Sequence, residues 1–377
     1  MGVGLSKKQR DLHGRAARLA MEFLDPDRDL RTAAATPSDI WRAFTDNGLR
    51  GVTLPRKFGG LAGSPLDLAV ATEALTHYGR NPGIVLSWLL NEMIAHTLAV
   101  GAASARQKAW CFPRMASGGL IAALAVSEPA AGSRRDRLVT RADRCNDGFI
   151  LSGEKTFVTN APVADLFIVI AVTASREGKN ELSAFLVPAD SPGLTRSKPM
   201  SMPFLRPCPH GGILLNDCVV PEDSLLGMAG SGYEDIAVWF RAFEDVMLMA
   251  LFTGVMSAQL DLAAANSARA ATDTDFCAEI GGLRVLRDAV RALTYSGAAL
   301  LKGREVPAEA LSISLACRGL AKQFQEVLQQ LLDLYPHEVQ NELSLLAGDL
   351  AGLLSIAKPI AALRQRRLGA ELIKGEK

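Results

Sequence analysis

The period of the hydrophobic positions changes twice along the chain and divides it into three parts. From Leu5 to Phe23 the apolar residues recur at helical spacing. Ser38 precedes Ile40, Trp41 and Phe44, which predicts a serine-capped helix ending near Gly48. Ser64-Pro65 opens another helix, with proline in the first turn where its missing N–H does no harm. Further helices are predicted over about 85–100 and 103–115. Near Gly118 the period shortens. Apolar runs at 120–126, 149–151, 156–158, 166–172, 182–187 and 211–219 are separated by Gly, Asp, Asn and Pro, as strands are by turns. No helix-length stretch lies between them, so the pattern predicts an antiparallel sheet and not βαβ units. From about Tyr233 long Ala- and Leu-rich helices return, at about 233–269, 277–301, 307–333 and 337–370. Long helices with short connections predict an antiparallel four-helix bundle. The expected fold is α+β and multidomain: an N-terminal helical domain (1–118), a central antiparallel β domain (119–230) and a C-terminal helical bundle (231–377).

Composition narrows the function classes. The 41 basic and 40 acidic residues nearly cancel. A nucleic-acid binder would carry a basic footprint, and this chain has none overall. The six cysteines and five histidines are scattered, with no metal-ligand spacing, so no metal site is expected. The cysteines read as small buried hydrophobes in a reducing compartment. The segment 1–18 is polar and basic and lacks the apolar core of a secretory leader. The most apolar run, Val246 to Met256, is too short to span a bilayer. The expected location is the cytoplasm, with no membrane span.

Four motifs carry a resemblance. They are Gly51-Val52-Thr53-Leu54-Pro55 through Phe58-Gly59-Gly60, with Glu73 on the next helix; Ser127-Glu128-Pro129-Ala130-Ala131-Gly132-Ser133; Gly153-Glu154-Lys155-Thr156-Phe157-Val158-Thr159-Asn160; and Val219-Val220-Pro221-Glu222-Asp223-Ser224-Leu225-Leu226-Gly227. In this order, over roughly 45–230, they resemble the acyl-CoA dehydrogenase family. The resemblance implies the α, β, α layout and FAD held between the β domain and the C-terminal helices. Val126 and Ser127 match positions at the edge of the flavin ring. Ser133 matches a position near the flavin phosphate or the substrate. Phe157 stands where the family commonly has a ring-packing Trp, and Thr159 matches a donor on the flavin N5 side. Arg134, Arg135 and Arg137 form a basic edge where the family usually has an Asp.

The same resemblance implies α,β-dehydrogenation of an acyl thioester. A carboxylate removes the α-proton while the β-hydrogen leaves as hydride to flavin N5. Most of the family places the base near the C-terminus, after a Gly-Gly turn. The matching stretch, Gly348 to Lys358, contains no Glu and no such turn. The isovaleryl and long-chain types place it on the first long C-terminal helix, ten residues before a Gly. Glu244 lies ten residues before Gly254 and at the start of the apolar run, which makes it the candidate base. A surface pair with Arg241 is the competing reading. Asp245, where the family has Arg, is expected to repel Glu244 and raise its pKa. On the nucleotide side Arg269 is the candidate cofactor residue, with Asp273 and Asp275 as unfavourable neighbours of a phosphate. The resemblance further implies an acyl-CoA or acyl-carrier-protein substrate and an acceptor such as electron-transferring flavoprotein. It also implies a homodimer or homotetramer. The missing C-terminal motifs keep a catalytically degenerate partner subunit open as the alternative.

Overall fold

The computed structural model describes residues 4–24, 28–101, 103–176, 179–265, 273–335 and 339–374. Five helices form the N-terminal part: α1 (Lys7–Phe23), α2 (Ser38–Asp46), α3 (Pro65–Gly79), α4 (Pro82–Val100) and α5 (Ala105–Ala116). The helix expected at Ser64-Pro65 is α3, and Ser64 caps it, accepting from the Asp67 amide while the Asp67 carboxylate accepts from the Ser64 amide. The expected Ser38 cap is absent. Pro37 holds the cap position and Ser38 is already the first helical residue.

The central part is one sheet of eight strands: β1 (Ala122–Ala125), β2 (Arg141–Cys145), β3 (Gly148–Thr159), β4 (Leu166–Arg176), β5 (Lys179–Pro188), β6 (Leu194–Arg196), β7 (His210–Pro221) and β8 (Leu225–Leu226). Seven strands run in the order β6-β7-β3-β2-β4-β5-β8, and β1 pairs with β4. Two expectations need correction. The runs 149–151 and 156–158 are one bulged strand, β3. The sheet is also not wholly antiparallel, because β1 and β2 each pair with β4 in parallel. Alternation along β4 separates two cores. Leu166, Ile168 and Ile170 face the helices, while Phe167, Val169 and Ala171 fill a second core within the β domain.

A π-helical turn, Tyr233–Val238, leads into α6 (Trp239–Ala265), followed by α7 (Thr274–Leu300), α8 (Ala308–Leu334), α9 (Gln340–Ser355) and α10 (Lys358–Lys374). The expected fourth helix is thus two. The chain breaks at Ile356-Ala357, where Ala357 adopts a left-handed φ of 54°. Both α4 and the stretch Tyr233–Ala265 are long and apolar enough to cross a membrane by composition. However, 89% and 94% of their apolar windows are buried within the fold, which makes them core helices. Gly254 marks a close approach of α6 to α3: a Cβ there would lie 2.4 Å from Thr76 Cβ. None of the six cysteines is in a disulfide.

Candidate active site

A cavity of about 590 Å³ opens where the three parts meet. Leu86, Leu90 and Ile94 of α4 and Leu124 of β1 make it apolar. Polar groups enter from β3, β7, the π-helical turn, α6 and α10. Six of the seven residues singled out in the sequence converge here: Val126, Ser127, Ser133, Phe157, Thr159 and Glu244. The seventh, Arg269, lies outside the described residues.

The β-domain wall owes its shape to a bulge in β3. The register against β7 shifts between Lys155 and Val158. Phe157 is carried to a φ of 54° and presents its ring to the cavity, 59% exposed. A non-glycine residue with this backbone persists only where its surroundings hold it. What holds it lies just beneath. Lys155 Nζ, fully buried, donates to Glu128 Oε1 at 2.8 Å and to the Val126 carbonyl at 3.1 Å. Glu128 also accepts from the Val139 and Thr140 amides, and the Thr156 amide donates to the Ser127 carbonyl at 2.8 Å. Burial drives the Lys155 ammonium down to about 8 against the attraction of Glu128. For Glu128, burial works upward, but Lys155 and the hydrogen-bond donors outweigh it and hold the carboxyl below its ordinary value. The segments 126–128 and 155–157 are therefore one stitched unit.

The Ser127 and Ser133 hydroxyls have no hydrogen-bond partner among the described residues, and the Ser133 carbonyl accepts from Tyr233 Oη at 2.7 Å. An exposed aromatic ring held by a strained turn, with free hydroxyls at the rim of an apolar cleft, fits a planar ring with polar edges. The isoalloxazine of FAD is such a ring.

Glu244 faces the same cavity from α6 with its side chain 11% exposed. It forms an ion pair with Arg241, one turn earlier on the helix and also on the cavity wall. The pair thus exists, but in the cavity and not on an outer surface. Burial lowers Arg241 to about 10. The charge of Asp245, expected to repel Glu244, has cationic partners of its own. Asp245 is turned away into the bundle, 2% exposed, against Arg364, against Arg318 at 3.3 Å and against Arg241 at 4.0 Å. Guanidiniums from α6, α8 and α10 balance it.

The other expected features are resolved similarly. Arg134 pairs with Asp136 at 3.3 Å, and Arg135 with Glu234 while lying over the Tyr233 ring, so two arginines of the basic edge already have partners. Asp273 caps α7, accepting from the Asp275 and Phe276 amides. Ile356, Ala357 and Ile360 reach the cavity from the break between α9 and α10, where most of the family carries its base. No acid comes with them among the described residues. Sequence reasoning missed His210, Tyr233, Arg364 and Arg367 on the cavity wall. A lone His or Arg outside a motif gives no signal of its own.

Family models place the chain. The acyl-CoA dehydrogenase N-terminal domain matches residues 6–119 and the middle domain of that family matches 123–218. An L-prolyl-[peptidyl-carrier protein] dehydrogenase from Serratia is 33% identical over 272 residues, 69% of this chain and 68% of the relative. A protein of the same description from Pseudomonas fluorescens is 35% identical over 225 residues, 59% of this chain and 58% of the relative. The solved FAD complex of PigA superimposes with a TM-score of 0.84 at 27% identity, covering 98% of this chain and 99% of that one. The chain belongs to the acyl-CoA dehydrogenase family. It is an FAD-dependent oxidoreductase of acyl thioesters.

Proposed function

We propose that the protein dehydrogenates an acyl group, of the prolyl type, held as a thioester on a carrier protein. Glu244 is the base in this reading, and the observation that carries it is its place. Glu244 lines the same cavity as the stitched β-domain unit. Val126, Ser127, Ser133, Phe157 and Thr159 hold the flavin, with Phe157 against the ring and the serines at its polar edge. Bound FAD supplies the two-electron acceptor. The chain's own residues do the rest. The Glu244 carboxylate takes the α-proton, while the apolar wall of α4 keeps water from the developing charge. Arg241 holds the Glu244 carboxylate by an ion pair, and a guanidinium does so without offering a competing base.

The carrier-bound prolyl substrate is supported by the two prolyl-carrier relatives and by Arg367, which is exposed on the cavity wall with no ion-pair partner among the described residues. A phosphopantetheine arm presents a phosphate to such a cation. We place the domain divisions near 118 and 230 and the protein in the cytoplasm. We further infer a homo-oligomer, because Val285 of α7 and Leu372 and Ile373 of α10 are exposed. An electron-transferring flavoprotein or oxygen reoxidises it.

The test is anaerobic mixing of the FAD-loaded protein with L-prolyl thioester on a phosphopantetheinylated carrier, beside butyryl-CoA and isovaleryl-CoA. Bleaching of the flavin by the prolyl carrier alone is expected. Bleaching by the CoA esters alone reassigns the substrate. A protein that cannot be loaded with FAD would sink the enzyme reading.

A further inference from the structure

His210 is a lone histidine at the start of β7, and nothing in the mechanism above uses it. Hydrogen bonds hold its backbone in place. The chain before it is anchored at several points: the Leu205 amide donates to Asp349 at 2.6 Å and the Cys208 amide to the Leu205 carbonyl at 2.8 Å. The Asn160 amide donates to the Pro209 carbonyl and the Met200 amide to the His210 carbonyl, both at 2.8 Å. The ring itself has two contacts. Nδ1 lies 3.1 Å from the Cys208 carbonyl oxygen, and Nε2 lies 3.2 Å from Thr159 Oγ1.

These two distances decide where the protons are. A carbonyl oxygen only accepts, so Nδ1 carries the hydrogen. Burial lowers the His210 pKa, which keeps the ring neutral near pH 7. A neutral imidazole has one N–H, so Nε2 presents a lone pair. The Thr159 hydroxyl must then donate to it, and a hydroxyl has only one hydrogen to give. What remains for the cavity is the acceptor side of Thr159 Oγ1.

We propose that His210 is a positioning residue that fixes the Thr159 hydroxyl as a hydrogen-bond acceptor toward the cavity. This reverses the donor role that the sequence resemblance gives to that side chain. On the placement of Thr159 made under Proposed function, the consequence concerns the N5 edge of the flavin. Oxidised N5 accepts a hydrogen bond, and reduced N5–H donates one. An acceptor hydroxyl is matched to the reduced ring and mismatched to the oxidised one. His210 thereby favours the hydride-accepting direction through a residue it touches, without touching substrate itself.

Two measurements test this. Long-range ¹H–¹⁵N NMR on the ¹⁵N-histidine-labelled holoprotein at neutral pH is expected to show His210 protonated at Nδ1 and bare at Nε2. Thr159→Val should shift the Nε2 resonance, and Thr159→Ser should restore it. A proton on Nε2, or no response to Thr159→Val, overturns the proposal. The second measurement is the flavin midpoint potential. His210→Leu releases the hydroxyl to donate, so the potential is expected to fall below wild type. In a Thr159→Ala background the same His210→Leu change should leave the potential where it is. A shift of equal size in that background shows that the effect does not pass through Thr159 and overturns the proposal. The stated tautomer together with potentials unmoved by any of these changes overturns instead the placement of Thr159 at the ring edge. The wild-type spectrum needs no substitution, so a misfolded His210→Leu protein leaves the first test intact.

Discussion

At the residue scale the site depends on which way a few side chains turn. Glu244 and Asp245 are adjacent in sequence and share Arg241, but only Glu244 lines the cavity, while Asp245 is buried among three guanidiniums. The Glu244–Gly254 spacing was legible in the sequence. The direction of Asp245 was not, because its partners Arg318 and Arg364 lie far along the chain. His210 was illegible for the same reason: its tautomer follows from a carbonyl and a hydroxyl that only the folded β3–β7 pairing brings together. Two substitutions separate the roles on α6. Glu244→Gln keeps the shape and removes the base, so substrate-driven flavin reduction should slow by on the order of 10³-fold while FAD content holds. Stopped-flow absorbance measures the first and the visible spectrum the second. An unchanged rate removes Glu244 as the base. Asp245→Leu acts differently. It leaves Arg318 and Arg364 without their buried counter-ion, so it should destabilise the bundle by about 3 kcal/mol or more in urea unfolding.

At the scale of elements the hydrophobic period was a good guide to helices and a weaker one to strands. The polar sequence of β2 and the brief β6 and β8 gave too little alternation to be seen, whereas the break before α10 did carry a signal, Pro359 in the first turn of the new helix. The packing of α4 on α6 makes a prediction about pH. His96 of α4 stacks on Phe243 of α6 with centroids 4.8 Å apart, and its Nδ1 is buried without a partner. Burial lowers its pKa from 6.5 to about 4. The folded value lies below the unfolded one, so the unfolded chain binds the proton more readily in between. The stability His96 contributes is present above about pH 6.5 and is lost as pH falls toward 4. The full span is roughly 3 kcal/mol. Urea unfolding at pH 7 and pH 4.5 checks it. His96→Phe should lose about 2 kcal/mol less than wild type between the two, and equal losses would show that His96 is not held neutral.

At the scale of the whole molecule, the three parts were visible in the chain, but the joints between them were not. Each joint links residues well over a hundred positions apart. Glu73 of α3 is held by Arg291 and Tyr295 of α7, and Arg31 reaches Asp349 of α9 at 2.6 Å. Asp349 is the more consequential joint because it serves all three parts. It is 2% exposed and accepts from Arg31 of the N-terminal part and, at 2.6 Å, from the Leu205 amide of the β domain. One turn on, Gly352 lets the Phe204 ring lie against the α9 backbone, where a Cβ would come within 2.3 Å of Phe204 Cδ2. This small grip holds the segment 204–205, and through it the anchored approach to His210, against the C-terminal helices. Asp349→Ala removes the carboxylate and leaves Arg31 and the Leu205 amide unpaired. The expected cost is about 3 kcal/mol, since a broken buried pair is far more damaging than an absent one. The distinguishing outcome is the shape of the transition and not only its midpoint. If Asp349 couples the parts, calorimetry of the variant should show the single wild-type transition broadened or split, because the β domain can then loosen before the bundle does. An unsplit transition shifted only in midpoint would mean that Asp349 stabilises α9 locally and that the parts are joined elsewhere. Arg31→Gln leaves the Leu205 contact in place, so it should lower stability without splitting the transition.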